Sequence, residues 1–230
     1  MSNELSAWQL IVTGDPVLLS IVRLSLAVSL SALVLAALVG LPLGAMLALL
    51  RFPGRPVLVV LLNALMGLPP VVVGLAVYLL LSRSGPLGTF GLLFTPTAMV
   101  VAQTIIIIPI IAAPTRQTVE DLWREYRDEL IAMDVGPIGR MTTLLWDARV
   151  SLFTAVLAGF GRAAAEVGAV MIVGGNIEGF TRTMTTAVVL EASKGNLPLA
   201  MGLGIILVAI VILINAAVWT TRTWSERQAG

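Results

Sequence analysis

The chain has 230 residues, 58% of them hydrophobic and only 12% charged, with a formal net charge of +1 and no Cys or His. Soluble domains carry about a quarter charged residues, so this composition and a mean hydropathy of +0.99 place the chain among integral membrane proteins. The lack of a basic stripe interleaved with aromatics excludes nucleic acid as a partner, and the lack of Cys and His excludes disulfides, thiolate nucleophiles, Cys/His zinc sites and imidazole bases.

The N-terminal stretch MSNELSAWQLIVTGDP lacks a basic region followed by a short apolar core and cleavage site. No removable signal peptide is expected, and the first apolar helix is predicted to target the chain. A spanning helix needs ~20 apolar residues, and five stretches qualify. The first lies in Val17–Leu50, with Asp15 and Pro16 as N-cap and N1. This run is longer than the bilayer core is thick, so it tilts, projects into water or breaks near Gly40 and Pro42. The second span is Val57–Leu81, interrupted by GLPP at Gly67–Pro70; Pro69 and Pro70 read as a gate element or as a plain kink. The third is Thr97–Ala113.

Arg116–Arg149 differs from what surrounds it. It holds five of the fourteen basic and seven of the thirteen acidic residues. Leu122, Tyr126, Leu130 and Met133 recur at helical spacing, which predicts an amphipathic helix, a break at Gly136-Pro137 and a second short helix. An apolar stripe of this kind suits docking of a partner, and equally a helix lying on the membrane.

The fourth span is Leu152–Val173 and carries Arg162 and Glu166, spaced i,i+4 as on one helix face. Charges at membrane depth are expensive and face the protein interior or water. A structural ion pair and a pair lining a substrate path both fit this spacing. Small residues flank them in two rows, Ala155/Gly159/Ala163 and Gly161/Ala165/Ala169, which let helices pack closely. Asn63, Gln103 and Thr104 are further polar groups within spans, suited to interhelical hydrogen bonds or to the path. Gly174 and Gly175 stop the fourth span. The segment after them, with Asn176, Thr181, Arg182, Thr183, Thr185 and Thr186, is rich in donors suited to an oxyanion, or is a short helix capped by Thr181. The fifth span is Leu199–Thr220.

Orientation follows from loop Lys and Arg. One set of loops holds nine, at Arg51, Arg55, Arg116, Arg124, Arg127, Arg140, Arg149, Arg222 and Arg227; the other holds Arg83, Arg182 and Lys194. The segment Arg116–Arg149 and the C-terminus are therefore expected in the cytoplasm, and the N-terminus outside.

Leu130–Gly136, LIAMDVG, resembles the coupling-loop signature E-A-A-x-x-x-G of ABC importer permeases. Ala132 and Gly136 match, Glu129 falls one place before the expected Glu, and DAR at Asp147–Arg149 stands where the family has L-P. GLPPVVVGLAVYLLLSRSGPLG, AQTIIIIPIIAAPTRQ and GFGRAAAEVGAVMIVGGNIEGFTRTMTTAVVLEASKG resemble the tungstate permeases, a group close to the molybdate permeases. The likeness covers residues 17–220. It implies a single all-α transmembrane permease domain over residues 1–230, a protomer of five or six spans, here five, with a cytoplasmic coupling helix. It implies a homodimer in a prokaryotic cell membrane, two cytoplasmic ATPase subunits and an external tungstate-binding protein. The chain has no phosphate loop of the G-x-x-x-x-G-K-[ST] type, so ATP and Mg are expected on the partner ATPase and no cofactor on this chain. Coupling would rest on Glu129, Leu130, Ala132, Asp134, Gly136 and Pro137. The path or gate would comprise Arg162, Glu166, Pro69, Pro70, Gln103, Thr104, Asn176 and Arg182. A molybdate or sulfate permease is the nearest rival; an ATP-independent channel or carrier and a membrane enzyme are rivals of other classes.

Overall fold

The computed structural model describes residues 16–229, with side chains to residue 216. The expected Asp15 N-cap and the Met1–Asp15 stretch lie outside the described residues. Every regular element among the described residues is helical: α1 Pro16–Leu49, α2 Arg55–Met66, α3 Pro70–Leu81, a 3-10 turn Gly88–Phe90, α4 Pro96–Ala132, α5 Pro137–Asp147, α6 Arg149–Ala164, α7 Gly168–Gly174, α8 Met184–Ser193 and α9 Leu197–Ala229. Three helices, α1, α4 and the Leu197–Ala216 part of α9, are long and apolar enough to cross a membrane. The number rises to five if two bent pairs of shorter helices are each counted as one span.

The residues fall into two compact units, one of 16–30, Pro70–Ala102 and 164–229, the other of Ser31–Pro69 and Gln103–Ala163. In the first unit α3 packs on α7 and α8 on α9. A Cβ at Gly74 would lie 2.7 Å from Ala169 Cα, which shows how close the α3 and α7 backbones come. The other contact is built on Leu18, Ile21, Met184, Ala187 and Leu203. There the Ser25 hydroxyl accepts the Met184 N–H at 2.6 Å.

In the second unit α1 runs on through Gly40 and Pro42 instead of breaking. Pro42 forfeits one helix hydrogen bond, but the glycines here serve a different purpose. A Cβ at Gly40 would meet Ile108 O and Ile111 at 3.2 Å, and one at Gly44 would meet Ala112 O at 2.5 Å. They let α1 lie against α4, as small residues do in membrane helices.

α4 also exceeds its expected span. It stays helical for 37 residues through Pro109 and Pro114, so the third span and the charged amphipathic helix are one rod. Thr115 donates to Ile111 O at 2.7 Å within the proline-bearing stretch, the kind of side-chain bond that lets membrane helices tolerate Pro. Past Ala132 the chain turns in a Schellman motif. Val135 N–H donates to Leu130 O at 3.1 Å and Asp134 N–H to Ile131 O at 3.0 Å. The left-handed residue is Asp134, φ 52°, whereas Gly136 is extended at φ −68°, ψ 167° and opens α5 with Pro137 behind it. The expected Gly-Pro break stands, but the turn's special conformation belongs to Asp134. Leu130, Leu144, Val119, Ala45 and Ala48 form the core that holds this platform to α1.

The second span is interrupted where GLPP predicted it, α2 ending at Met66 and α3 starting at Pro70. Each proline biases the residue before it away from helical geometry. The fourth span was expected to run unbroken over Leu152–Val173. Instead α6 ends at Ala164 and α7 begins at Gly168, and α6 leaves α5 at a 75° bend. α7 stops at Gly175 with φ 70°, as expected.

Candidate translocation path and coupling surface

The break at 165–167 explains how the fourth span carries charge. Arg162 stands in the last turn of α6, where helix carbonyls present partial negative charge. Glu166 stands in the break itself, so the two are not on one helix face as their spacing suggested. The Glu166 side chain is 3% exposed, and its Oε1 accepts the Ala169 N–H at 3.0 Å. Ala169 is the second residue of α7, so the carboxylate satisfies a donor that a helix start leaves open. The Glu166 carbonyl, freed by the same break, accepts the Thr185 hydroxyl at 2.8 Å. Thr185 belongs to α8, and nothing in the sequence pattern linked it to Glu166.

Asn176 and Arg182 border the loop between α7 and α8. Asn176 takes φ 50°, and its Oδ1 is buried without a hydrogen-bond partner among the described residues. Arg182 Nη1 lies 3.6 Å from Glu178 and its side chain is 12% exposed, while its Nε is buried with no hydrogen-bond partner among the described residues. Thr181 fastens this loop: its hydroxyl donates to Gly174 O at 2.5 Å and accepts Ile177 N–H at 2.9 Å. The expected cap role of Thr181 passes to Thr183, which forms a capping box with Thr186 at the start of α8. At the far end of α8, Glu191 accepts Lys194 Nζ at 3.0 Å and Asn196 Nδ2 at 3.1 Å. The Lys194 hydrogen bond holds this carboxyl below its usual range against the opposing effect of burial.

In the other unit, Gln103 is buried and donates through Nε2 to Ala163 O at 3.2 Å, bridging α4 to α6. Its Oε1 has no partner among the described residues. Thr104 donates to Ala32 O of α1 at 3.5 Å. Asn63 is exposed on α2. Pro69 ends this unit and Pro70 begins the other. The path residues expected from sequence are thus divided: Gln103, Thr104, Arg162 and Pro69 in one unit, and Glu166, Asn176, Arg182 and Pro70 in the other.

The coupling residues share one surface of the second unit. Leu130 is buried in the platform core, whereas Glu129, Ala132, Asp134, Gly136 and Pro137 are exposed. Met133 at 73%, Ile138 at 75% and Trp146 at 72% exposure extend this surface; Met133 belongs to the expected apolar stripe, whereas Ile138 and Trp146 were not among the expected residues. Their signal was present in the sequence as bulky apolar residues inside the charged segment. An apolar cavity of about 320 Å³ lies beside them, lined by Met46, Leu49, Trp123, Ile138, Arg140 and Met141. The Arg140 guanidinium sits 5.5 Å from the Trp123 ring centre, a cation–π distance. An array of exposed apolar side chains on a charged helical platform is fitted to receive another protein.

No protein-family profile matches the chain. Individual proteins do match it. A probable anion ABC transporter permease protein from Haloferax volcanii is 44% identical over 204 residues, covering 86% of this chain and 88% of its own length. The tungstate uptake system permease protein TupB of Peptoclostridium acidaminophilum is 38% identical over 94% of each chain. More distant is the molybdenum transport system permease protein ModB of Azotobacter vinelandii, 27% identical over 74% of this chain and 79% of its own.

Proposed function

This chain belongs to the anion permeases of ABC transporters, and from that premise we propose that it imports tungstate, as a homodimer served by two cytoplasmic ATPase subunits and an external tungstate-binding protein. The observation that carries the reading is the interrupted fourth span. Non-helical backbone at membrane depth is tolerated where it is buried in protein or lines a cavity, and broken helices are a recurring way to build a transport path. Here the break holds a buried carboxylate on a helix start and follows a helix whose last turn carries Arg162. The second break, Gly67–Pro69, separates α2 from α3. Asn176 and Arg182, both in the first unit, add donors of the kind a tetrahedral oxyanion accepts. Path groups that bind weakly enough to release leave fine selection to the external binding protein. This chain makes and breaks no bonds; ATP and Mg act on the ATPase subunits, which press on the platform around Glu129–Pro137. A molybdate permease is the second reading, favoured by the ModB relative.

Reconstituted complex is expected to hydrolyse ATP faster when tungstate-loaded binding protein is added, and molybdate to stimulate only as far as that protein accepts it. Stimulation by a loaded amino-acid or sugar binding protein, with none by tungstate, would end the oxyanion reading. The same reading places the N-terminus outside and the platform inside. The chain has no native Cys, so a single Cys replacing the exposed Glu125 gives a clean probe. It is expected to stay unlabelled by an impermeant thiol reagent in intact cells and to label after lysis. Labelling before lysis contradicts the orientation.

A further inference from the structure

Glu120 lies in α4, where the rod leaves its apolar stretch and enters the charged platform. Three guanidinium groups converge on its carboxylate. Arg116 pairs with Oε2 from one turn before, Arg124 Nη2 reaches Oε1 at 3.2 Å from one turn after, and Arg55 Nη2 reaches Oε2 at 3.3 Å from the first residue of α2. The Arg55 side chain has a second attachment. Its Nε donates to the Leu47 carbonyl at 2.7 Å, in the last turn of α1, where carbonyls lack intrahelical partners. One arginine therefore ties the end of α1 and the start of α2 to one glutamate of α4.

The tie matters because α2 is thinly anchored. Leu62 is its one buried residue, packed with Leu47, Ala112 and Ala113, while Val57 and Val60 are 70% and 67% exposed. The platform end of α4 is the opposite case. Val119 and Leu130 are buried in a core shared with Leu144 of α5 and Ala45 and Ala48 of α1. A push on α5 therefore moves α4 as a body, but α2 follows only as far as something holds it. The Arg55–Glu120 contact is an ion pair at 3.3 Å. The two side chains are 26% and 22% exposed, so it is only partly screened by water.

We propose that Glu120 is a positioning residue for transport, clamping α2 through Arg55 to the ATPase-facing platform so that platform movement reaches the Gly67–Pro69 break at the far end of α2. This rests on the importer reading above. Glu120 touches no substrate; it sets how faithfully hydrolysis is converted into passage.

The test uses full complex in liposomes, with tungstate-loaded binding protein outside, ATP inside, and coupling measured as tungstate accumulated per ATP hydrolysed. Glu120→Gln is expected to assemble and hydrolyse ATP within about twofold of the native complex, while tungstate per ATP falls at least about threefold. Arg55→Gln, which keeps the Arg116–Glu120–Arg124 ladder, is expected to lower the ratio likewise. The double variant is expected to be no worse than either single change, because the two act through one contact. A native ratio in either single variant that assembles overturns the proposal, and so does an additive loss in the double. Loss of assembly in Arg55→Gln would make the contact a purely structural tie and overturn it too. Native complex that hydrolyses ATP with no tungstate uptake sinks the importer reading instead, whatever the variants do.

Discussion

Replacing Gly44 with alanine is expected to lower the thermal stability of the detergent-solubilised protein by about 5–10 °C and to reduce its yield. A Cβ at Gly44 would sit 2.5 Å from Ala112 O, 2.7 Å from Thr115 Cβ and 3.0 Å from Arg116 N. Two of these are backbone atoms inside a continuous helix, so no rotamer change relieves the clash. α1 and α4 must move apart, and with them the Ala45, Ala48 and Val119 core one turn below. Overpacking of this kind costs about 1–3 kcal/mol. Gly204→Ala is the control, because a Cβ there meets nothing within 4 Å. Equal stability of the two variants would show that α1 and α4 do not approach as described. A loss confined to Gly44→Ala supports the approach that joins the first span to the platform.

The contrast between Gly40 and Gly67 shows what the sequence could and could not disclose. Both glycines precede a proline within three residues, and both marked possible breaks. At Gly67 the following Pro69-Pro70 pair removes consecutive donors and restrains the residues before them, and the helix stops. At Pro42 a single donor is lost and the α4 surface supports the helix on both sides, so it continues. Local chemistry decided the first case and tertiary packing the second. Spans, platform and the Gly175 stop were legible because hydropathy, charge segregation and turn residues are local signals. The break at 165–167 was not. Ala165 and Glu166 are good helix formers, and the contacts they make outside the helix come from Thr185 in α8 and from the Ala169 N–H. The Glu120 cluster was half legible: Arg116 and Arg124 stand at i−4 and i+4, but Arg55 arrives from a separate helix.

These cases share a cause that bears on function. Where an element departs from its local preference, a side chain from elsewhere takes up the orphaned backbone group, and such arrangements are able to exchange partners when the protein changes state. The platform core rests instead on buried apolar side chains, Ala45, Ala48, Val119, Leu130 and Leu144. The break at 165–167 is held by polar contacts, among them the Ala169 and Thr185 hydrogen bonds.

Glu166→Ala is therefore expected to do more damage than loss of any exposed carboxylate. It leaves the Ala169 N–H, on a residue that is fully buried, without its acceptor. An unsatisfied buried donor costs about 1–3 kcal/mol, and hydrocarbon offers no water to replace the lost partner. The Thr185 bond is to the Glu166 carbonyl, so it survives the substitution and keeps the break partly ordered. Glu166→Gln separates the two jobs of the side chain, since an amide oxygen still accepts the Ala169 N–H but carries no charge. The alanine variant is expected to lose thermal stability in detergent and tungstate uptake together, whereas the glutamine variant keeps stability. Uptake then distinguishes the roles: preserved in Glu166→Gln, the carboxylate is a helix-start tie; lost in a stable Glu166→Gln protein, its charge belongs to the path. Native stability in Glu166→Ala would mean that the carboxylate does not hold the start of α7.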